Sequence, residues 1–263
     1  MVNSGAGPAE RHAEVTARLR AAGCVFAEDE AALLISSTDS DEELERRVAE
    51  RVSGVPLEHV LGWALFDGLR VPVDHGVFVP RPRTEHVVAR AAQRLTPGAL
   101  VLDLCCGTGA VGAALLARVP GARLIACDLD PTAVANARRT LQAQNARLYT
   151  GDLYGAVPTE ERGHIDLIVI VAPYVPTGEL EFLPHEARDF ESSVALDGGV
   201  DGLSVLRRAI VDAPAWLAPG GAFVTEVAEA QAPRVAGMLR EAGLVPRIHH
   251  DADLGVTIVE GTR

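Results

Sequence analysis

The sequence predicts an α/β protein with a mostly parallel sheet covered by helices, preceded by a small helical domain and a β-hairpin linker. Three observations predict it. From Arg83 onward, helical and strand-like patterns alternate, which is how a chain of β-α-β units reads. Before residue 62, apolar side chains recur at helical spacing. Between these regions, short β-like pieces surround turn residues. The expected division is therefore 1–62 (helical domain), 63–80 (linker) and 81–263 (sheet domain).

Glu10 to Ala22 places Val15, Leu19 and Ala22 on one face, Ala31 to Ile35 continues an apolar face, and Ser40 with Glu43 forms a capping box opening a helix through Arg51. In the linker, Leu69–Val73 and Val77–Val79 read as two strands about the turn Asp74-His75-Gly76. Helices are expected at 84–95, 108–118, 131–143, 202–217 and 229–241. Strands are expected at 99–104, 123–128, 146–150, 166–171 and 221–227. Two closing strands near 244–249 and 255–260 are expected to pair antiparallel at one edge.

Composition narrows the function. With 263 residues, 48% of them hydrophobic, the chain has enough apolar matter for a sizeable core, which excludes disorder as its main state. A net charge of −12 opposes non-specific binding to nucleic acid and to anionic membranes. The longest apolar run, Leu167–Val175, is broken by Pro173 and is about half of the ~20 residues a spanning helix needs. No secretory pattern is read in Met1–Glu10, so a cytoplasmic location is expected. All 24 basic residues are Arg, which removes Schiff-base and P-loop lysine mechanisms. The four cysteines lack C-x-x-C spacing and read as small core residues, so no metal is expected.

The chemistry is concentrated at three strand ends. Val101-Leu102-Asp103-Leu104 runs into Cys105-Cys106-Gly107-Thr108-Gly109 and then a helix; in an open α/β sheet a ligand sits at such a turn, against the helix N-terminus. Gly107 and Gly109 carry no Cβ and let the backbone approach that ligand. The next strand ends in Asp128, placed to accept from the two hydroxyls of a ribose; Asp130, before Pro131, is the better helix cap. The third ends in Gly151-Asp152-Leu153, a carboxylate and an apolar side chain suited to an adenine's amino group and ring face. The glycine spacing begins too late after the strand for a nicotinamide fingerprint, and Asp103 with Asp152 favours S-adenosylmethionine, Asp103 toward its methionine part.

With these motifs the chain resembles the HemK/PrmC family of protein N5-glutamine methyltransferases, which modify the glutamine of the Gly-Gly-Gln motif of release factors. The resemblance covers nearly the whole chain. It rests on Phe78-Val79-Pro80-Arg81-Pro82-Arg83-Thr84-Glu85, on 103–109, on Asp128, on Asp152-Leu153, and on the segment from Glu186-Ala187-Arg188-Asp189 to Asp201-Gly202-Leu203. It implies a Rossmann-like class I methyltransferase domain and S-adenosylmethionine held by Asp103, Cys105, Cys106, Gly107, Thr108, Gly109, Asp128, Asp152, Leu153, Arg81 and Thr84. The acceptor it implies is a release-factor-like protein; the alternatives that stay open are a specialised small-molecule N-, O- or C-methyltransferase and a cofactor-binding protein that no longer transfers methyl.

The sequence departs from the family at the acceptor motif. Where the family has Asn-Pro-Pro-Tyr, this chain has Val171-Ala172-Pro173-Tyr174, the expected catalytic segment. In the family, the Asn side chain and the next carbonyl accept the two N–H groups of the target amide. Val171 offers no acceptor, the Ala172 carbonyl remains, and the only asparagines, Asn3, Asn136 and Asn145, lie elsewhere. His185 and Glu186 are candidates to line the acceptor pocket, or are solvated loop residues. Arg81 and Arg83 either orient cofactor or substrate or bridge the domain boundary.

Overall fold

The computed structural model describes residues 7–144 and 146–263. Asn3, Asn145 and most of the segment in which no secretory pattern is read lie outside the described residues. Helices α1 (Pro8–Ala21), α2 (Ala27–Ser36), α3 (Asp41–Val52) and α4 (Leu57–Leu61) bury Val15, Leu19, Ala31, Leu34, Leu44 and Val48 in one cluster. The Ser40 hydroxyl accepts the Glu43 N–H at 3.3 Å and caps α3. Ala22 is exposed beyond the end of α1, and the face is completed instead by α2, which begins earlier than expected, at Ala27.

The linker hairpin is not where the pattern placed it. Its strands are β1 (Trp63–Phe66) and β2 (Leu69–Pro72), antiparallel, with Phe66 opposite Leu69. The turn is Asp67-Gly68, both with positive φ (50° and 76°), the two-residue geometry that Asp-Gly favours. Residues 73–81 form no second strand. They turn at Asp74–Val77, where the Val77 N–H donates to the Asp74 carbonyl at 3.1 Å, and are held where buried Asn136 donates to the Pro72 carbonyl and accepts the Asp74 N–H, each at 2.8 Å.

The sheet domain has seven strands: β3 (Leu100–Leu104), β4 (Arg123–Asp128), β5 (Ala146–Thr150), β6 (Ile165–Ile170), β7 (Leu217–Glu226), β8 (Val245–Asp251) and β9 (Val256–Thr262). Their order is β5-β4-β3-β6-β7-β9-β8. The strands are parallel through β7, β9 is antiparallel to β7, and β8 pairs antiparallel with β9 at the edge, as expected. Helices α5 (Glu85–Ala92), α6 (Ala110–Arg118) and α7 (Pro131–Thr140) pack with β1 and β2 on one face, and α10 (Ser204–Trp216) and α11 (Ala232–Glu241) cover the other. Because both faces are covered, β3 is buried throughout and reads as a continuous apolar run interrupted by Asp103. The short helices α8 (His185–Phe190) and α9 (Ser193–Leu196), after β6, are too brief for a periodic signal and were not expected. No helix of the described residues is long and apolar enough to cross a membrane.

Candidate functional site

β3 lies between β4 and β6, and the chain order runs outward from it on both sides, so its carboxyl end is the switch point where α/β sheets open a crevice. A cleft of about 840 Å³, mouth included, lies there. It is lined by Cys105 and Gly107 after β3, by Cys127 to Asp130 at the end of β4, by Gly151 to Leu153 after β5, and by Val171 and Pro173 after β6. The linker residues Val77 and Phe78 close one side. Two non-glycine residues on its wall, Cys105 (φ 56°) and Leu153 (φ 45°), hold the left-handed conformation, and such strain gathers at ligand sites. Burial and the surrounding carboxylates push the Cys105 thiol well up, so it is protonated and inert as a nucleophile.

The two glycines of the first turn do different things. A Cβ on Gly107 would meet nothing within 4 Å and would project into open space, whereas one on Gly109 would approach the Ala137 Cβ at 3.1 Å. Gly107 therefore leaves room for a ligand, while Gly109 lets α6 and α7 pack. Asp128 accepts the Gly107 N–H at 2.8 Å on one oxygen and the Asp130 N–H at 3.0 Å on the other. Burial raises its pKa, and these backbone bonds oppose the rise. Its oxygens keep further lone pairs, which suits a pair of ribose hydroxyls. The cleft thus offers a backbone turn without a Cβ, a fixed carboxylate and the apolar wall of Leu153, a donor set that fits S-adenosylmethionine.

Several expected cofactor residues lie elsewhere. Asp103 does not line the cleft; its buried carboxylate accepts the Gly112 N–H at 3.0 Å and so caps the first turn of α6 from within the sheet. Burial pushes its pKa up to about 7, against the pull of that hydrogen bond. Cys106 and Thr108 are buried behind the turn. The Thr84 hydroxyl donates to Glu226 at 2.9 Å, and Arg81 grips Glu191, so neither reaches the cleft. Asp152 does line it, but its carboxylate is joined by Arg208, a cavity residue that carried no sequence signal because α10 delivers it from fifty-six positions downstream.

A second cavity adjoins the first and shares Phe78, Val171 and Ala195 with it. It is lined by Pro56 and Glu58 of the N-terminal unit, by Arg81 and Arg83, by Ala172, Tyr174 and Val175, and by Glu186 and Glu191. The Ala172 carbonyl accepts no hydrogen bond from the described residues, whereas that of Tyr174 is taken by Gln231 at 3.3 Å. The Tyr174 hydroxyl pairs with Arg83. Glu186 pairs with Arg51 at 2.7 Å, and His185 turns aside to Asp189 at 2.9 Å. Asn136, buried under the linker, is remote from this motif's strand end.

A family profile described as Methyltransferase domain matches residues 101–190. The release factor glutamine methyltransferase of Geobacter sulfurreducens is 36% identical over 218 residues, 82% of this chain and 76% of that protein. The 4-amino-L-phenylalanine/4-methylamino-L-phenylalanine methyltransferase of Streptomyces pristinaespiralis is 36% identical over 203 residues, 74% of this chain and 69% of that one. The crystal structure of a methyltransferase from Pyrococcus furiosus shares the fold, with a TM-score of 0.57 at 16% identity over 83% of this chain and 98% of that one. A sheet opened at its switch point, the donor-binding turn and these matches together make the chain a member of the HemK/PrmC family of release factor glutamine methyltransferases, an enzyme that uses S-adenosylmethionine as its methyl donor.

Proposed function

We propose that the protein transfers a methyl group to a nitrogen atom presented through the second cavity, with the donor in the first. The observation that carries this is the shared wall: Val171 and Phe78 line both cavities, so donor and acceptor meet there. S-adenosylmethionine supplies an electrophilic methyl on a sulfonium. Asp128 holds its ribose, Leu153 and Asp152 receive the adenine, Gly107 admits its backbone contact, and the Ala172 carbonyl accepts one N–H of the acceptor. Rate enhancement then comes mainly from proximity and orientation. The N-terminal unit (1–62) contributes to acceptor choice, the methyltransferase domain (81–263) binds the donor, and the linker (63–80) faces both through Phe78; Pro56 and Glu58 in the acceptor cavity support that division.

The relatives' names first suggest a glutamine side-chain amide of a release-factor-like protein. An amide lone pair is delocalised, so this acceptor needs its N–H groups held, and an N–H left unpaired costs about 1–3 kcal/mol. With Val171 in place of Asn, transfer to glutamine is slow. A second reading, an amine nitrogen on a small molecule, is favoured by that same Val171, because an amine lone pair, even one conjugated with an aryl ring, is far less delocalised than an amide's and needs less such help. The Streptomyces pristinaespiralis relative, which is named for an aryl amine, supports it. Val171→Asn separates the two. Methylation of a Gly-Gly-Gln release factor should rise roughly ten- to a hundredfold if glutamine is the acceptor, and methylation of an aryl amine should fall if it is not. Methylation of neither by either protein rejects both readings.

A further inference from the structure

Arg81 and Arg83 alternate with Pro80 and Pro82, whose rings restrict the backbone between them. Each guanidinium is anchored by a buried carboxylate. Arg81 places one Nη between the two oxygens of Glu191, 2.7 Å from each. Arg83 gives Nε to Glu226 at 2.7 Å and one Nη to the Tyr174 hydroxyl, while Thr84 holds the other Glu226 oxygen. Both side chains are only partly covered, and both line the acceptor cavity. A guanidinium has five N–H donors in a planar fork. Arg81 Nε and Nη1 and Arg83 Nη1 find no partner among the described residues.

The carboxylates facing the same cavity are accounted for with one exception. Glu191 belongs to Arg81 and Glu186 to Arg51, but the Glu58 carboxylate of α4 has no hydrogen bond or ion pair among the described residues. The cavity thus holds unspent cationic donors and one unspent anion. An interior glutamine of a protein chain presents neither a carboxylate nor an ammonium group, whereas a free amino acid presents both.

We propose that the acceptor cavity binds the zwitterionic end of a free amino acid, with Arg81 and Arg83 receiving its carboxylate, Glu58 its ammonium group, and its side chain running toward Val171. This rests on the amine reading above. The arginines are already locked by Glu191 and Glu226, so little side-chain freedom is lost on binding, and carboxylate recognition by paired guanidinia is both directional and strong.

The test uses the full-length protein with S-adenosylmethionine and three aryl amines: 4-aminophenylalanine, its carboxamide, and the decarboxylated 2-(4-aminophenyl)ethylamine. The expected result is kcat/KM at least tenfold higher for the free amino acid than for the other two. Arg83→Gln should raise its KM about tenfold without changing KM for the carboxamide or the affinity for S-adenosylhomocysteine. Glu58→Gln, at an unpaired carboxylate whose loss leaves no buried charge, should raise KM for all three compounds, since each keeps the ammonium group. Equal use of all three amines, with both variants unchanged, overturns the zwitterion site and leaves the amine reading standing. No methylation of any aryl amine overturns the amine reading, and the site with it.

Discussion

The donor and acceptor cavities share one wall yet are built in opposite ways. The donor side is built around three short contiguous segments at neighbouring strand ends, held in place by the parallel sheet, with the linker, the end of β6 and Arg208 completing its wall. The acceptor side is assembled from α4, the linker, the end of β6 and α8, and is held by ion pairs between distant segments: Arg51 with Glu30 and Glu186, Arg81 with Glu191, Arg83 with Glu226. A site framed by adjacent strand ends tolerates little change, whereas one held by ion pairs between distant segments can be altered without disturbing its neighbour. The chain keeps the donor turn while its acceptor motif has lost the Asn.

The strongest test of that independence is Arg51→Ala. It leaves Glu30 buried without its partner, and breaking a buried pair costs about 3–5 kcal/mol. The melting temperature should fall markedly, while calorimetry on the protein that stays folded should show unchanged affinity for S-adenosylhomocysteine, since none of the described residues before Gly76 lines the donor cleft. A parallel loss of affinity would mean the two halves are one unit.

Next in size is a pH effect at Asp103. Its carboxyl holds a proton up to about pH 7 in the folded chain and releases it near 3.8 when unfolded, so between those values the native state binds more protons and stability falls as pH rises. The full loss approaches about 4 kcal/mol. Asp103→Asn keeps an oxygen to accept the Gly112 N–H and carries no charge, so its advantage over the native protein should grow between pH 5 and pH 8 in urea titrations. Parallel curves would show that the carboxylate is not penalised by its burial.

Asp128→Ala should weaken S-adenosylhomocysteine binding by about 1.5–3 kcal/mol, roughly ten- to a hundredfold, and leave the acceptor KM unchanged. Calorimetry and initial rates measure the two separately, and a change in both would blur the division between the cavities. The smallest effect is expected at Cys105→Gly: relief of the left-handed conformation should stabilise the fold by about 0.5–1 kcal/mol after the added freedom of the unfolded chain is counted. A lower denaturation midpoint would mean that the thiol's packing outweighs its strain.

Most of the sheet domain was legible because its strands and helices are periodic and their breakers are strong: β4 and β5 fall at 123–128 and 146–150 as expected. The hairpin lies upstream of the turn signal Asp74-His75-Gly76 because Asp67-Gly68, with paired positive φ angles, is the stronger hairpin device. Thr84 and Arg81 were read with the cofactor because a motif reports which residues recur together, not which way a side chain turns; both turn to buried carboxylates.

By itself the sequence determined the α/β class, the order of the switch-point turn and its acids, and the absence of an amide acceptor at Val171, because each is encoded within a few consecutive residues. Only the tertiary structure decided that Asp103 caps α6, that Gly109 serves packing while Gly107 serves the cleft, and that Arg208 meets Asp152. It also decided which charges around the acceptor are spent and which are left over. Those outcomes depend on side chains brought together from distant segments, whose pairing is set by burial and the competition for partners, and no local pattern records that competition.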